Sequence, residues 1–291
     1  RRPIRMNYKE LGRTGIRIPE IGLGMWQYDG SVEVLRRGLE SGALFIDSAE
    51  LYGNEDLAGR AIKDFKDRVF VATKTHHWRY GEVLRCAEAS LQRLGIDTID
   101  LYQLHWPNAA VPIAETMSAM EELVDQGKVR HVGLSNFTMK EFREAQRAMR
   151  KYLIAASQVR YSLVDRTIER DALPYWQQHG VTVIAYSPLA NSFQKLIDAD
   201  RTNALETVAK MTNHTAAQVA LNWCISKSGV VAITKTKSIE HVVENCQASG
   251  WRLTDEQIAM LDAGVRFRRR GRFEVALRGL LRRSRQRIKR S

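Results

Sequence analysis

Eight short apolar runs, each followed by an amphipathic stretch, alternate along most of this 291-residue chain, and few folds accommodate that rhythm. The runs are 21–24, 43–49, 69–75, 100–106, 129–136, 156–162, 181–187 and 230–236. Candidate helices lie near 31–41, 54–65, 81–94, 113–126, 138–150, 168–179, 202–228 and 238–248. The runs are rich in branched side chains and show little two-residue alternation, as strands do when a parallel sheet buries both faces. Eight strand–helix pairs over about 250 residues is the count of a (β/α)8 barrel. A doubly wound sheet shares the alternation. It usually divides near its middle, however, and no Pro/Gly/Ser-rich linker occurs there. The expectation is one α/β domain, a single (β/α)8 TIM barrel over residues 6–263. Ahead of it, 8–12 and 16–19 flank Arg13-Thr14-Gly15 as a β-hairpin that would cap the barrel's floor. Residues 1–5 precede Met6, where a natural start is expected.

Composition removes other classes. Hydrophobic residues make up 44% and charged residues 27%, which excludes a collagen-like, low-complexity or wholly disordered chain. No apolar run approaches the roughly 18 residues of a membrane-spanning helix. No continuous apolar stretch follows the basic opening residues either, so a cytoplasmic setting is expected. Cys86, Cys224 and Cys246 stand far apart in no ligand-like spacing, and neither a disulfide framework nor a metal site is expected. His76 and His77 are adjacent, so on a strand they would point apart, which is poor metal geometry. Pocket lining or a solvated loop is expected of them.

The net charge of +12 suggests a polyanion partner until it is located. Residues 264–291 hold eleven arginines and Lys289 against the single acid Glu274, so this segment carries +11 and the rest of the chain +1. A near-neutral body gives no reason to expect a specific nucleic-acid partner. In the tail, Phe273, Leu277, Leu280, Leu281 and Ile288 recur among the arginines at near-helical spacing, with Gly271 and Gly279 interrupting. Either a basic amphipathic helix that contacts an anionic membrane or polyanion, or a solvated tail, is expected.

Chemistry in such a barrel sits at the carboxyl ends of the strands. Asp47 ends the second run, Lys74 the third and His105 the fourth, while Tyr52 follows Asp47 by five residues. Singly, each has a plain structural reading. Jointly they place a carboxylate, a phenol, a lysine and an imidazole around one cleft. A phenol is a poor acid at neutral pH unless an ammonium stabilises its phenolate. Lys74 would supply that ammonium, and Asp47 would keep it charged.

The run Asp47-Ser48-Ala49-Glu50-Leu51-Tyr52-Gly53-Asn54-Glu55, then Lys74, then Leu104-His105-Trp106-Pro107, resembles the aldo-keto reductases. Leu11-Gly12-Arg13-Thr14-Gly15, Gly133-Leu134-Ser135-Asn136-Phe137 and Ala185-Tyr186-Ser187-Pro188-Leu189 extend the resemblance over roughly 6–263. The resemblance implies a barrel that uses NADP(H) or NAD(H) without a Rossmann domain. Consistent with that, Gly22-Leu23-Gly24 is not followed by the third glycine of a dinucleotide fingerprint. By similarity Tyr52 donates a proton to a carbonyl oxygen, Lys74 and Asp47 tune it, and His105 orients the carbonyl. Ser135, Asn136 and Gln158 match positions that hold the carboxamide, Tyr186 the ring stacked on the nicotinamide, and Ser187 and Leu189 the pyrophosphate cradle. Trp26 and Trp106 match substrate-lining positions.

At the adenine end the resemblance implies roles for Lys235, Thr236, Lys237, His241, Glu244 and Asn245. Ile233-Thr234-Lys235-Thr236 stands where the family often shows Ile-Pro-Lys-Ser, and His241 where it shows an arginine. A histidine cannot fork onto a phosphate as arginine does. NADP(H) is expected over NAD(H) on the strength of the lysines. The expected activity is reduction of a small aldehyde or ketone. Two other readings stand beside it: a cofactor-binding regulatory or interaction module with the tail as docking element, and a Schiff-base lyase using Lys74.

Overall fold

The computed structural model describes residues 5–269 and 271. Strands β1 (Tyr8–Glu10) and β2 (Arg17–Pro19) form an antiparallel hairpin. Eight parallel strands then close into a barrel: β3 (Ile21–Gly24), β4 (Phe45–Asp47), β5 (Phe70–Thr75), β6 (Ile99–Leu104), β7 (Val129–Ser135), β8 (Ile154–Arg160), β9 (Thr182–Tyr186) and β10 (Val230–Thr234). Closure pairs Ile233 of β10 with Gly22 of β3. Each expected run carries a strand, and the hairpin lies where the sequence puts it.

The helices that follow the strands are α1 (Val32–Glu40), α2 (Glu55–Ile62), α3 (Tyr80–Leu94), α4 (Ile113–Asp125), α5 (Met139–Ala148) and α6 (Ala172–His179). After β9 come α7 (Phe193–Ala199), α8 (Ala204–Thr212) and α9 (Ala216–Ser226), and after β10 come α10 (Ile239–Cys246) and α11 (Asp255–Gly264). The single helix expected over 202–228 is two. Asn213 ends α8 in the left-handed region (φ 56°), and Thr215 and Gln218 form a capping box that starts α9.

The hairpin seals the floor. Leu11 and Ile18 are buried with Phe45, Phe70, Leu101 and Val231 inside the barrel. Between them Gly12 sits at φ +58°, where a Cβ would lie 2.8 Å from the carbonyl oxygen of Ala155, so only glycine fits. With the floor closed, the accessible polar groups of the barrel interior lie at its other end.

Past α11 the chain keeps packing. Val265 is buried, the Arg268 N–H donates to Val164 O (2.9 Å), and Arg166 lies between the rings of Trp223 and Phe267. Residue 270 and residues 272–291, which carry the expected amphipathic helix or solvated tail, lie outside the described residues. No described helix is long and apolar enough to cross a membrane.

Candidate active site

Three consecutive strands deliver the polar groups. Asp47 ends β4, Lys74 lies next to the end of β5, Gln103 sits near the end of β6, and His105 follows it by two residues. A one-turn 3-10 helix over Glu50–Tyr52, closed by Gly53 at φ 66°, carries Tyr52 back over the barrel mouth. The turn is held from both sides. Glu50 Oε1 accepts from Thr75 Oγ1 and from the His76 N–H, each at 2.7 Å, and the Asn54 amide donates to Met25 O at 2.8 Å.

Lys74 is wholly buried, and its ammonium donates to Asp47 Oδ1 and to Ser48 O (2.8 Å). The other carboxylate oxygen of Asp47 accepts from Gln103 Nε2 (3.0 Å) and Gln158 Nε2 (2.8 Å). Burial is the largest single influence and works against the charge of Lys74, but Asp47 and Tyr52 together outweigh it, and its pKa is raised. A lysine held protonated lacks the lone pair that imine formation needs, so this resting arrangement does not favour the Schiff-base reading.

The Lys74 ammonium lies 5.2 Å from the centre of the Tyr52 ring, and the Tyr52 hydroxyl is 3.3 Å from His105 Nε2. Burial is the largest influence on Tyr52, and with help from Asp47 it holds the phenol above its ordinary pKa; Lys74 pulls the other way. The lowering expected from Lys74 is therefore present but outweighed, so the phenol rests as the protonated donor. Burial and the Lys74 charge push His105 down to about 3. The imidazole is neutral, and its Nδ1 meets no hydrogen-bond partner among the described residues. A proton on Nε2 then makes it a donor beside the Tyr52 hydroxyl.

Above this group opens a cavity of about 590 Å3, within the range of small-molecule and cofactor sites. Of the residues expected at the site, Trp26, Asp47, Tyr52, His105, Ser135, Asn136, Gln158, Tyr186, Ser187, Leu189 and Lys235 line it. Asn136 ties the wall together: its amide donates to His105 O (3.0 Å) and its carbonyl accepts from the Tyr186 hydroxyl (2.9 Å). Gln27, Asn136, Ser187 and Asn191, all in the lining, have φ between 50° and 65°. Left-handed backbone at non-glycine residues is strained and clusters where ligands are clamped.

Trp106 is not in the lining; its ring packs against His105 at 4.3 Å. Thr236 and Lys237, on the connection from β10 to α10, and His241, Glu244 and Asn245, within α10, also lie outside it. Lys237 pairs with Asp29 (2.6 Å), and Glu244 accepts from Thr215 Oγ1 (2.6 Å). Neither His76 nor His77 lines the cavity, contrary to the pocket reading. Nor do they point apart. Both lie beyond the last residue of β5, where strand alternation has ended, and their rings are 4.4 Å from each other.

Sequence reasoning missed Gln103, Arg160 and Phe193. Gln103 had a signal, a lone amide inside the apolar run Leu101-Tyr102-Gln103-Leu104. Arg160, whose guanidinium stands 5.5 Å from the centre of the Tyr186 ring, follows Gln158 by two residues and so shares its face of β8. Phe193 had none, since the segment bearing α7 lacks a clear helical period.

Comparison with known proteins agrees with this geometry. Residues 20–266 match the profile of the Aldo/keto reductase family. The methylglyoxal reductase YeaE of Escherichia coli is 37% identical over 270 residues, spanning 88% of this chain and 95% of that protein. An aldo-keto reductase from Klebsiella pneumoniae, solved in complex with NADPH, superposes with a TM-score of 0.84 at 36% identity, covering 91% of this chain and 97% of the other. One from the same organism, solved with NADP and acetate, gives 0.82 at 37% identity over 89% and 95%.

Proposed function

The chain belongs to the aldo/keto reductase family, whose members reduce aldehydes or ketones to alcohols with NAD(P)H, and we propose that here Tyr52 delivers the proton and NADPH is the preferred cofactor. When bound, the dihydronicotinamide supplies the hydride. Tyr52 and His105 converge on one wall of the cavity with their polar atoms 3.3 Å apart, so a carbonyl oxygen placed there meets two donors. Preorganised donors of this kind stabilise the negative charge that grows on oxygen as hydride arrives. Tyr52 passes its proton to that oxygen, and the fixed positive charge of Lys74 stabilises the phenolate left behind. Asp47 keeps Lys74 charged while Gln103 and Gln158 hold the carboxylate in place.

Support for a nicotinamide cofactor comes from the wall. Asn136 and Gln158 offer amides, Tyr186 an aromatic face, Ser187 a left-handed turn with Leu189 beside it, and Lys235 a cation at the mouth. Lys235, Thr236 and Lys237 favour the phosphorylated cofactor, because the added negative charge is repaid only beside cations. The solved relatives hold NADP or NADPH. Small carbonyls of the methylglyoxal kind are the substrates that the E. coli relative suggests.

The observation that carries the reading is the Tyr52–His105 contact above the buried Lys74–Asp47 pair. The deciding experiment is Tyr52→Phe. It should lower carbonyl reduction by about 10²–10⁴-fold while leaving the NADPH dissociation constant within about two-fold. Turnover near that of the parent protein would remove Tyr52 as donor. By its charge alone, the segment from 264 onward also supports contact with anionic surfaces. Salt-sensitive adsorption to anionic vesicles, lost in a chain ending at residue 269, tests that.

A further inference from the structure

Outside the cleft, Glu50 stands at the start of the turn that carries Tyr52, with its side chain 8% exposed. Its Oε1 lies 2.9 Å from His76 Nδ1 and 4.0 Å from His77 Nε2. Cys86 on α3 completes the group. One ligand atom each from Glu50, His77 and Cys86 lies within 4.8 Å of the other two. Behind them is Tyr102, which is wholly buried and whose hydroxyl makes no hydrogen bond of good geometry; its neighbours include Thr75, Glu50 and Cys86. Polar groups this poorly satisfied are uncommon in a folded interior and call for a missing partner.

We propose that Glu50, His77 and Cys86 form a binding site for a divalent transition-metal ion of the zinc class, with a fourth position open to water.

The donor set decides the ion. A thiolate, an imidazole and a carboxylate suit zinc and its neighbours, whereas magnesium and calcium take oxygen ligands. Bond lengths of about 2.0–2.3 Å imply separations between ligand atoms of roughly 3.3–3.8 Å. The group closes onto an ion by contracting about 1 Å, and His77, with its side chain 37% exposed, has room to supply that movement. Its other ring nitrogen already faces a carboxylate, since His77 Nδ1 is 3.7 Å from Glu82 Oε2. A carboxylate behind a ligating histidine fixes the ring and raises its basicity.

Charge also balances: the ion's two positive charges meet one carboxylate and one thiolate. In the metal-free protein, burial and then Glu50 push the Cys86 thiol up to about 12, so it holds its proton. Coordination expels that proton to solvent as the metal–sulfur bond forms. The bound ion would tie α3 to the turn that carries Tyr52 and stabilise the protein in proportion to its affinity.

The test is titration of the untagged, chelator-stripped full chain with Co2+, a spectroscopic stand-in for zinc. The expected result is one equivalent bound, with thiolate-to-cobalt charge-transfer absorption, displacement of the cobalt by Zn2+ and a rise in Tm with metal concentration. Cys86→Ala should abolish the charge-transfer band while retaining aldehyde reduction, which shows that it is folded. His77→Ala, at a half-exposed position, should weaken binding at least ten-fold. The proposal is overturned if the parent protein shows no thiolate band, if the band survives Cys86→Ala, or if His77→Ala binds as tightly as the parent.

Discussion

Lys237 Nζ lies 2.6 Å from Asp29 Oδ2, a salt bridge that joins the segment after β10 to the loop after β3 at the mouth of the cleft. Lys235, two residues earlier, reaches the same loop at Gln27 O (3.4 Å). Both partners of the salt bridge are more than half exposed, so it adds little to stability. Its consequence is for the cofactor, because Asp29 competes with a 2′-phosphate for Lys237. Asp29→Asn should therefore tighten NADPH several-fold and leave NADH nearly unchanged. Dissociation constants from quenching of tryptophan fluorescence measure both. An equal gain for the two cofactors would show that Lys237 does not read the phosphate.

Lys235 forms no salt bridge among the described residues; its ammonium donates to the carbonyl of Gln27. Lys235→Ala should weaken NADPH by about one to two decades, the worth of one charge-assisted hydrogen bond, with a small effect on NADH. His241 is exposed at the start of α10, with its backbone N–H on Ser238 Oγ (3.3 Å). His241→Arg should tighten NADPH selectively, since a guanidinium can hold a phosphate in two places. The same titrations decide both.

The Lys74–Asp47 pair governs stability as well as chemistry. Removing one partner strands the other as a buried, unpaired charge, at about 3–5 kcal/mol. Lys74→Met and Asp47→Leu should each lower urea stability on that scale, and the double variant should lose much less than their sum. Additive losses in the double-mutant cycle would mean that the two charges do not depend on each other.

How far the sequence reveals this site follows from where each signal resides. Asp47, Lys74 and His105 mark strand ends because a charged or titratable residue interrupts an apolar run, and a barrel sends such residues to one rim. Tyr52 needs only the short turn after β4. Lys237 and Glu244 share a sequence neighbourhood with Lys235, but their side chains are turned to Asp29 and Thr215, and no local pattern foretells those long-range partners. The pairing of Asp47 with Gln158 across 111 residues is equally invisible until the barrel closes. The split between α8 and α9 was legible, because Thr215-x-x-Gln218 is a capping box inside what reads as one periodic stretch.

His105 makes stability depend on pH. An unfolded histidine titrates near 6.5, while the buried ring stays neutral down to about 3. Between those values the unfolded chain binds one more proton than the folded one. The stabilising effect of the neutral ring is whole above pH 6.5 and is lost as pH falls, by roughly 1.4 kcal/mol per pH unit. His105→Gln should flatten that acid limb when urea midpoints are compared from pH 7 to pH 4. An unchanged slope would show that other groups dominate acid unfolding.

Trp26 and Trp106, both expected to contact substrate, occupy different places, and their loss should read differently in the kinetics. Trp26 is 49% exposed on the cavity lining, where its ring offers apolar surface to a substrate. Contact of that kind is made equally in the ground and transition states, so its removal raises KM and spares kcat. Trp26→Ala should raise KM for an aromatic aldehyde by the equivalent of about 1–3 kcal/mol, with a much smaller effect for a two- or three-carbon carbonyl. Trp106 instead packs its ring on His105 and accepts from Trp78 Nε1 through its backbone (2.9 Å). Trp106→Ala leaves the imidazole without that lateral support, so its Nε2 no longer holds a fixed direction toward the carbonyl oxygen. That variant should lose kcat for large and small aldehydes alike, with little change in KM. Steady-state kinetics on one substrate of each size separates the two roles. If Trp106→Ala raises only the KM of the bulky aldehyde, Trp106 is a pocket wall and not the support of His105.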